Sequence, residues 1–179
     1  EWLNQQARGF IPNTSKTADI IDFVTNDYLQ NPDKTDWERT RDLVYQRYQA
    51  NATANGFRYQ GWYESSVNFA SGVIALLYGQ GDYARTVKIS TLSGWDADNP
   101  TATMGGLIGM MVGEQGVRDA LPGQTLSSRY RWSTTRDGLV DYLPADSGAE
   151  DSFDLIAQRM LGIIDQVVAA NGGTVDLVN

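Results

Sequence analysis

Ser66-Val67-Asn68-Phe69-Ala70-Ser71-Gly72-Val73-Ile74-Ala75-Leu76-Leu77-Tyr78 decides the fold. Its apolar residues recur at helical spacing and fall on most sides of the helix, so the run predicts a central helix with little solvent contact. Ser65 or Ser66 opens it, and Gly79-Gln80-Gly81 closes it. Downstream, Asp82 caps a helix through Tyr83, Val87, Ile89 and Leu92 that stops at Gly94. Pro100 suits a first helical position, so Asn99 reads as the N-cap of a helix from Thr101 to Val112. Gly105, Gly106 and Gly109 in that helix predict close backbone approach.

Upstream, Ser15 precedes Ala18, Ile20, Ile21, Phe23, Val24 and Tyr28, an amphipathic helix ending near Asn31-Pro32. Thr35-Asp36-Trp37-Glu38 reads as a capping box before a helix through Leu43, Val44, Tyr45 and Tyr48. Beyond the glycine helix, residues 123–148 are polar and turn-rich and predict an extended arm on the helical body. Asp151 or Ser152 then starts an amphipathic helix through Phe153, Met160 and Val168, stopped at Asn171-Gly172-Gly173. No run alternates strictly enough to predict a strand. The fold class is all-α, a compact multi-helix bundle.

At 179 residues the chain has the length of one ordinary domain. Fourteen Lys plus Arg against 22 Asp plus Glu leave a net charge of −8, which opposes nucleic acid polymers and anionic membranes as partners. No stretch approaches the roughly 18 uncharged apolar residues of a membrane span. The absence of Cys and His removes disulfides, thiolate and imidazole metal sites and Ser-His-Asp catalysis. Chemistry here falls to carboxylates, hydroxyls, amides or bound metals. Two sequons, at Asn13-Thr14-Ser15 and Asn51-Ala52-Thr53, would accept glycans and make an extracellular location possible.

The acidic connection Gly94-Trp95-Asp96-Ala97-Asp98-Asn99 carries the chemical interest. Asp96 and Asp98 are two apart in a short turn, so both carboxylates can face one point, and such hard oxygen donors suit Mg²⁺, Mn²⁺ or Ca²⁺. The same pair can instead serve as a cap or a solvated acidic turn at the positive end of a helix dipole. Asp19 and Asp22, three apart on a predicted helix, read as solvated helix faces rather than an acid–base pair.

The run from 66 to 78, then Asp82-Tyr83-Ala84, then Gly94 to Gly109, resembles the C-terminal half of the ADP-ribosylglycohydrolase family. There a central helix and a short acidic-aromatic helix lead to a Gly-Gly-Asp-Thr-Asp-Thr loop and a small-residue helix. Phe10-Ile11-Pro12, Asp36-Trp37-Glu38 and Val117 to Pro122 add to the likeness, which covers residues 1–125. Residues 126–179 then form the arm and terminal helix of the same domain.

The resemblance implies an all-α ADP-ribosylglycohydrolase-like bundle as the C-terminal part of a larger domain. It also implies metal-dependent hydrolysis of a glycosidic link to ADP-ribose or a related nucleoside conjugate. Asp96 and Asp98 carry over as metal ligands, and Asn99 stands at the position of the family's final Thr or Ser. As an amide it is a ligand or a plain N-cap. The implied cofactor is a two-metal Mg²⁺ or Mn²⁺ centre only partly supplied by this chain, with Ca²⁺ a further fit to the oxygen set.

Substrate contacts are expected from Trp95, Trp62, Tyr63, Glu64 and Ser65. Against them stand plainer readings: Trp95 anchors the loop, Trp62 and Tyr63 pack in the core, and Ser65 caps the central helix. No catalytic residue is assigned, because the family's N-terminal acidic cluster has no counterpart here. The expectation is therefore a processed chain with a companion polypeptide carrying the N-terminal half. The alternative function is a non-catalytic structural or ligand-binding member of the same fold.

Overall fold

The computed structural model describes residues 1–130 and 151–174. They belong to two compact units, Glu1–Gln124 and Thr125–Asn179. The first is helical throughout, as the periodicity predicts. The run at 66–78 forms α4 (Ser65–Gly79), which buries residues on every side, Val67, Ala70, Ile74 and Tyr78 among them. Around α4 pack α2 (Lys16–Gln30), α3 (Trp37–Tyr45), α5 (Tyr83–Leu92) and α6 (Asp98–Ala120). Val24, Val44, Ile74 and Leu77 meet in one core. Each such side chain contributes about 1.5–3 kcal/mol on leaving water.

One helix is held by polar contacts rather than by apolar burial. α1 (Trp2–Gly9) is mostly polar, with Trp2 exposed. It is tied to α2 by polar contacts, Asn4 Nδ2 donating to Thr25 Oγ1 at 2.6 Å and Arg8 clasping the Asp22 carboxylate at 2.8 and 2.9 Å. Asp19 likewise meets Arg47 at 2.7 Å and the Tyr48 hydroxyl at 2.8 Å. The two aspartates are thus ion-paired struts between segments, neither bare solvated charges nor an acid–base pair.

Helix starts follow the sequence in most places. Ser15 Oγ accepts the Ala18 N–H at 3.1 Å, and Asp82 Oδ1 accepts the Arg85 N–H at 2.7 Å. The capping box at Thr35 is displaced by one residue. Asp36 accepts the Arg39 N–H at 3.2 Å, while the Thr35 hydroxyl turns back to Asp33 at 2.6 Å. α3, expected to run through Tyr48, stops at Tyr45. From Gln46 to Ala50 the chain makes a π turn, and Gln46 O accepts both the backbone N–H and the side-chain amide of Asn51.

A buried polar chain joins three helices. Asn31 Nδ2 donates to the Tyr78 hydroxyl at 2.9 Å, which lies 2.6 Å from Thr40 Oγ1, and Thr40 Oγ1 donates to Asp27 Oδ2 at 2.6 Å. Since Thr40 spends its one proton on Asp27, Tyr78 donates to Thr40. Arg39 pairs with the same Asp27 at 2.9 Å.

Close backbone approach occurs, but not at the expected glycines. A Cβ on Gly105 or Gly109 would meet its neighbours at ordinary distances of 3.5 Å or more, and on Gly106 nothing within 4 Å. The tight position is Gly79, where a Cβ would fall 2.0 Å from Thr86 Oγ1 and 3.0 Å from Thr86 Cα. There α4 and α5 touch through backbone. The helix expected to end at Val112 breaks at Gly113 (φ 70°, ψ 174°) and resumes to Ala120.

In the second unit, β1 (Arg129–Tyr130) pairs antiparallel with β2 (Asp151–Ser152), two residues on each side. This pairing is too short to leave an alternation in the sequence. α7 (Phe153–Ala170) follows, capped by Ser152 Oγ, which accepts the Leu155 N–H at 3.2 Å. Residues 131–148 of the expected arm lie outside the described residues. Among the described residues, no helix is long and apolar enough to cross a membrane.

Candidate functional site

Between α5 and α6 the chain turns through Gly94 (φ 90°) and Trp95 (φ 53°). The left-handed conformation costs a non-glycine residue about 1–2 kcal/mol, so Trp95 needs compensation. It receives two kinds. The indole packs against the core, and its Nε1 donates to Gln49 Oε1 at 2.7 Å. Trp95 is accordingly the anchor of the loop, half-buried beneath it, and does not line the cleft described below.

Anchored in this way, the loop presents Asp96 half-buried and Asp98 exposed. The Asp96 N–H donates to Asn68 Oδ1 at 2.9 Å, and the Asn99 N–H to Asp96 O at 3.0 Å. α6 begins earlier than its Pro100 suggested. Ala97 occupies the cap position, Asp98 the first turn, and Asn99 makes no capping contact. Pro100 sits two residues further in at no cost in hydrogen bonds, because none of the first four amides of a helix has a partner within it.

Partial burial, and then the neighbouring carboxyl of Asp98, push the Asp96 carboxyl above the usual carboxylate range. Among the described residues neither aspartate forms an ion pair with Lys or Arg. Two adjacent carboxylates without a protein cation have the chemistry of one side of a divalent-ion site. They are not a whole one. No group of three or more acidic side chains able to hold a metal occurs among the described residues.

A cleft of about 260 Å³ opens beside the pair, lined by Tyr63, Ser65, Asn68, Phe69, Asp96 and Asn99, with Pro100, Thr103, Met104 and Gly72 completing it. Four of the sequence-predicted site residues, Tyr63, Ser65, Asp96 and Asn99, therefore come together. Trp62 and Tyr63 are not core residues. Both are more than half exposed and stack edge to face at 5.6 Å, forming an aromatic lip. Nor does Ser65 cap α4. Glu64 holds the cap position without a side-chain capping bond, and Ser65 is the first helical residue. Glu64 lines an adjoining cleft of about 380 Å³ with Lys16, Phe57 and Arg58, and Ser65 and Phe69 border both clefts.

The sequence reading missed Asn68. Its signal was present, a large polar amide within an otherwise apolar helix, where burial demands partners. The side chain is 8% exposed and fully engaged: Nδ2 donates to Trp62 O at 2.8 Å and Glu64 O at 3.0 Å, while Oδ1 accepts from Asp96. Phe69 and Met104 were also missed, being indistinguishable by pattern from core residues. Gly72 makes room for Met104, whose Cε would lie 2.9 Å from a Cβ there.

A family model described as ADP-ribosylglycohydrolase matches residues 3–152 of the chain. The match extends past residue 125, beyond the stretch on which the sequence resemblance rests. No curated protein and no solved structure matches the chain.

Proposed function

The chain belongs to the ADP-ribosylglycohydrolase family, and we propose that it forms one wall of a metal-dependent site hydrolysing a glycosidic link to ADP-ribose or a related nucleoside conjugate. The observation that carries this reading is the Asp96–Asp98 pair in one turn beside an open cleft that Asp96 lines, with no Lys or Arg paired to either among the described residues. Asp96 and Asp98, with the amide oxygen of Asn99, would hold Mg²⁺ or Mn²⁺, and Ca²⁺ fits the same oxygen donors. A divalent ion bound there supplies a Lewis acid and a template for the ribose hydroxyls.

The protein's own contributions are positional. Tyr63 presents an exposed ring to the cleft, with Trp62 against its edge, a surface on which a base or sugar can stack. Ser65 offers a hydroxyl at the start of α4. Glu64, turned to the neighbouring cleft, takes no part in this assignment. Pockets that enclose small ligands span roughly 300–1,000 Å³, so the 260 Å³ cleft takes only part of an ADP-ribosyl group. The remaining ligands and the group that activates water are assigned to a companion polypeptide.

The test is release of ADP-ribose from ADP-ribosylated protein by the chain together with the polypeptides that co-purify with it. We expect hydrolysis that needs Mg²⁺ or Mn²⁺ and falls by roughly 100-fold or more in Asp96→Asn, beyond the cost of most outer-shell changes. Turnover indifferent to that substitution overturns the proposal. The second reading, a ligand-binding member without turnover, draws on Asn99 at the family's hydroxyl position. It predicts ligand uptake with no hydrolysis in any metal.

A further inference from the structure

We propose that Asn68 is a positioning residue, its single amide clamping the acidic turn at Asp96 to the aromatic lip at Trp62–Glu64 and thereby setting the cation-binding geometry of Asp96. The inference rests on the reading of Asp96 and Asp98 as cation ligands. Its physical basis is independent of that reading. The amide orientation is fixed by its partners, two carbonyl oxygens facing Nδ2 and one N–H facing Oδ1. Few residues have the right mix of donors and acceptor on so short a side chain.

Among the described residues, no hydrogen bond joins the Trp62–Glu64 segment directly to the Asp96 turn, and the Asn68 amide bridges the two. Trp62 and Glu64 precede α4, Asp96 follows α5, and Asn68 lies on α4 between them. Asp96 is also the only one of the two aspartates that lines the cleft. Fixing its backbone N–H fixes where the carboxylate starts from, just as hydrogen bonds made to metal ligands orient them elsewhere. Because the same amide holds the Trp62 and Glu64 carbonyls, the lip and the acidic turn keep a constant spacing.

Two variants separate clamp from fold. Asn68→Ala removes all three bonds. Asn68→Asp keeps an acceptor for Asp96 but sets a carboxylate against two carbonyl oxygens, releasing the lip alone. Amide exchange and ring dynamics are followed by NMR on the whole chain, and Mn²⁺ uptake, by the chain with the polypeptides that co-purify with it, by the resonance of the free ion. In Asn68→Ala we expect helical content to persist, the Asp96 amide to exchange at least roughly tenfold faster, and Mn²⁺ affinity to fall roughly 10–100-fold. In Asn68→Asp the Asp96 amide stays protected while the Trp62 indole gains mobility.

An Asp96 amide as slow in Asn68→Ala as in the wild type overturns the proposal. So does a Trp62 indole unchanged in Asn68→Asp, the variant that decides the matter should Asn68→Ala not fold. Unchanged Mn²⁺ affinity in a protein that Asp96→Asn silences also overturns it. A wild-type chain that takes up no Mn²⁺, yet shows the expected exchange pattern, sinks the cation reading and upholds the clamp.

Discussion

Partial burial, and then the nearby carboxyl of Asp98 two residues on in the same turn, hold the Asp96 carboxyl above the ordinary carboxylate value of 3.8. In the fold Asp96 therefore keeps its proton to higher pH than in the unfolded chain. Its contribution to stability is complete below about 3.8 and is lost as pH rises through the elevated folded value. In Asp98→Asn that loss shrinks. Melting temperature measured against pH in a chelating buffer should fall less steeply for the variant over this window. The slope is the test, since the substitution also removes a favourable charge from the start of α6. Parallel slopes would contradict it.

Tyr48 gives the opposite end of the pH scale. Burial, and then its bond to the Asp19 carboxylate, push the phenol well above its ordinary value of 10. Below about pH 10 its stabilising contribution is intact, and as pH climbs further the unfolded chain ionises first and stability drops. Tyr48→Phe should flatten the alkaline limb of the stability curve. At neutral pH it should cost about 1.5–3 kcal/mol, the range for a hydrogen bond to a charged group, read as a lower urea midpoint.

The Asn31–Tyr78–Thr40–Asp27 chain predicts a third outcome. Tyr78→Phe leaves Thr40 without its donor and deprives Asn31 of one acceptor, in a place closed to water. The expected loss is about 1–3 kcal/mol in urea unfolding, with the denaturant slope unchanged. A stability equal to the wild type would mean that water replaces the hydroxyl.

Gly79→Ala is predicted to destabilise despite alanine's better helix propensity. The propensity gain is about 1 kcal/mol, whereas the new methyl meets Thr86 at 2.0–3.0 Å, backbone included. Overpacking of this kind costs typically 1–3 kcal/mol and more against a rigid neighbour, so the net change should be a loss of at least about 1 kcal/mol. Thr86→Ser, which lacks the Thr86 methyl, serves as a control that tolerates the glycine as it stands. Equal or higher stability for Gly79→Ala would refute the close α4–α5 contact.

How much of this was legible depended on how far each feature is local. α4 could be read directly, because an all-round apolar helix has one place to go. The caps at Ser15 and Asp82 were legible for the same reason, each being a side chain bonded to an amide three residues on. Thr35 misled because Asp33 competes for its hydroxyl. Gly79, read as part of the terminator, does end α4 and is also a contact, a second role set by Thr86 on another helix. At the site, the acidic pair announced itself, whereas Asn68 acquires meaning only when Trp62, Glu64 and Asp96 meet around it. Trp62 and Tyr63 could be read from sequence as substrate contacts or as core, and they are exposed, a choice left open because no periodicity governs a loop.

The most direct measurement is a Mn²⁺ titration of the chain together with the polypeptides that co-purify with it, following the paramagnetic resonance of the free ion, for the wild type, Asp96→Asn, Asp98→Asn and Asp22→Asn. The last removes an acidic group whose partner is Arg8 and controls for general charge. The account predicts saturable uptake that is lost in Asp96→Asn and Asp98→Asn and retained in Asp22→Asn. No uptake by the wild type, or uptake that survives loss of both loop carboxylates, would contradict it.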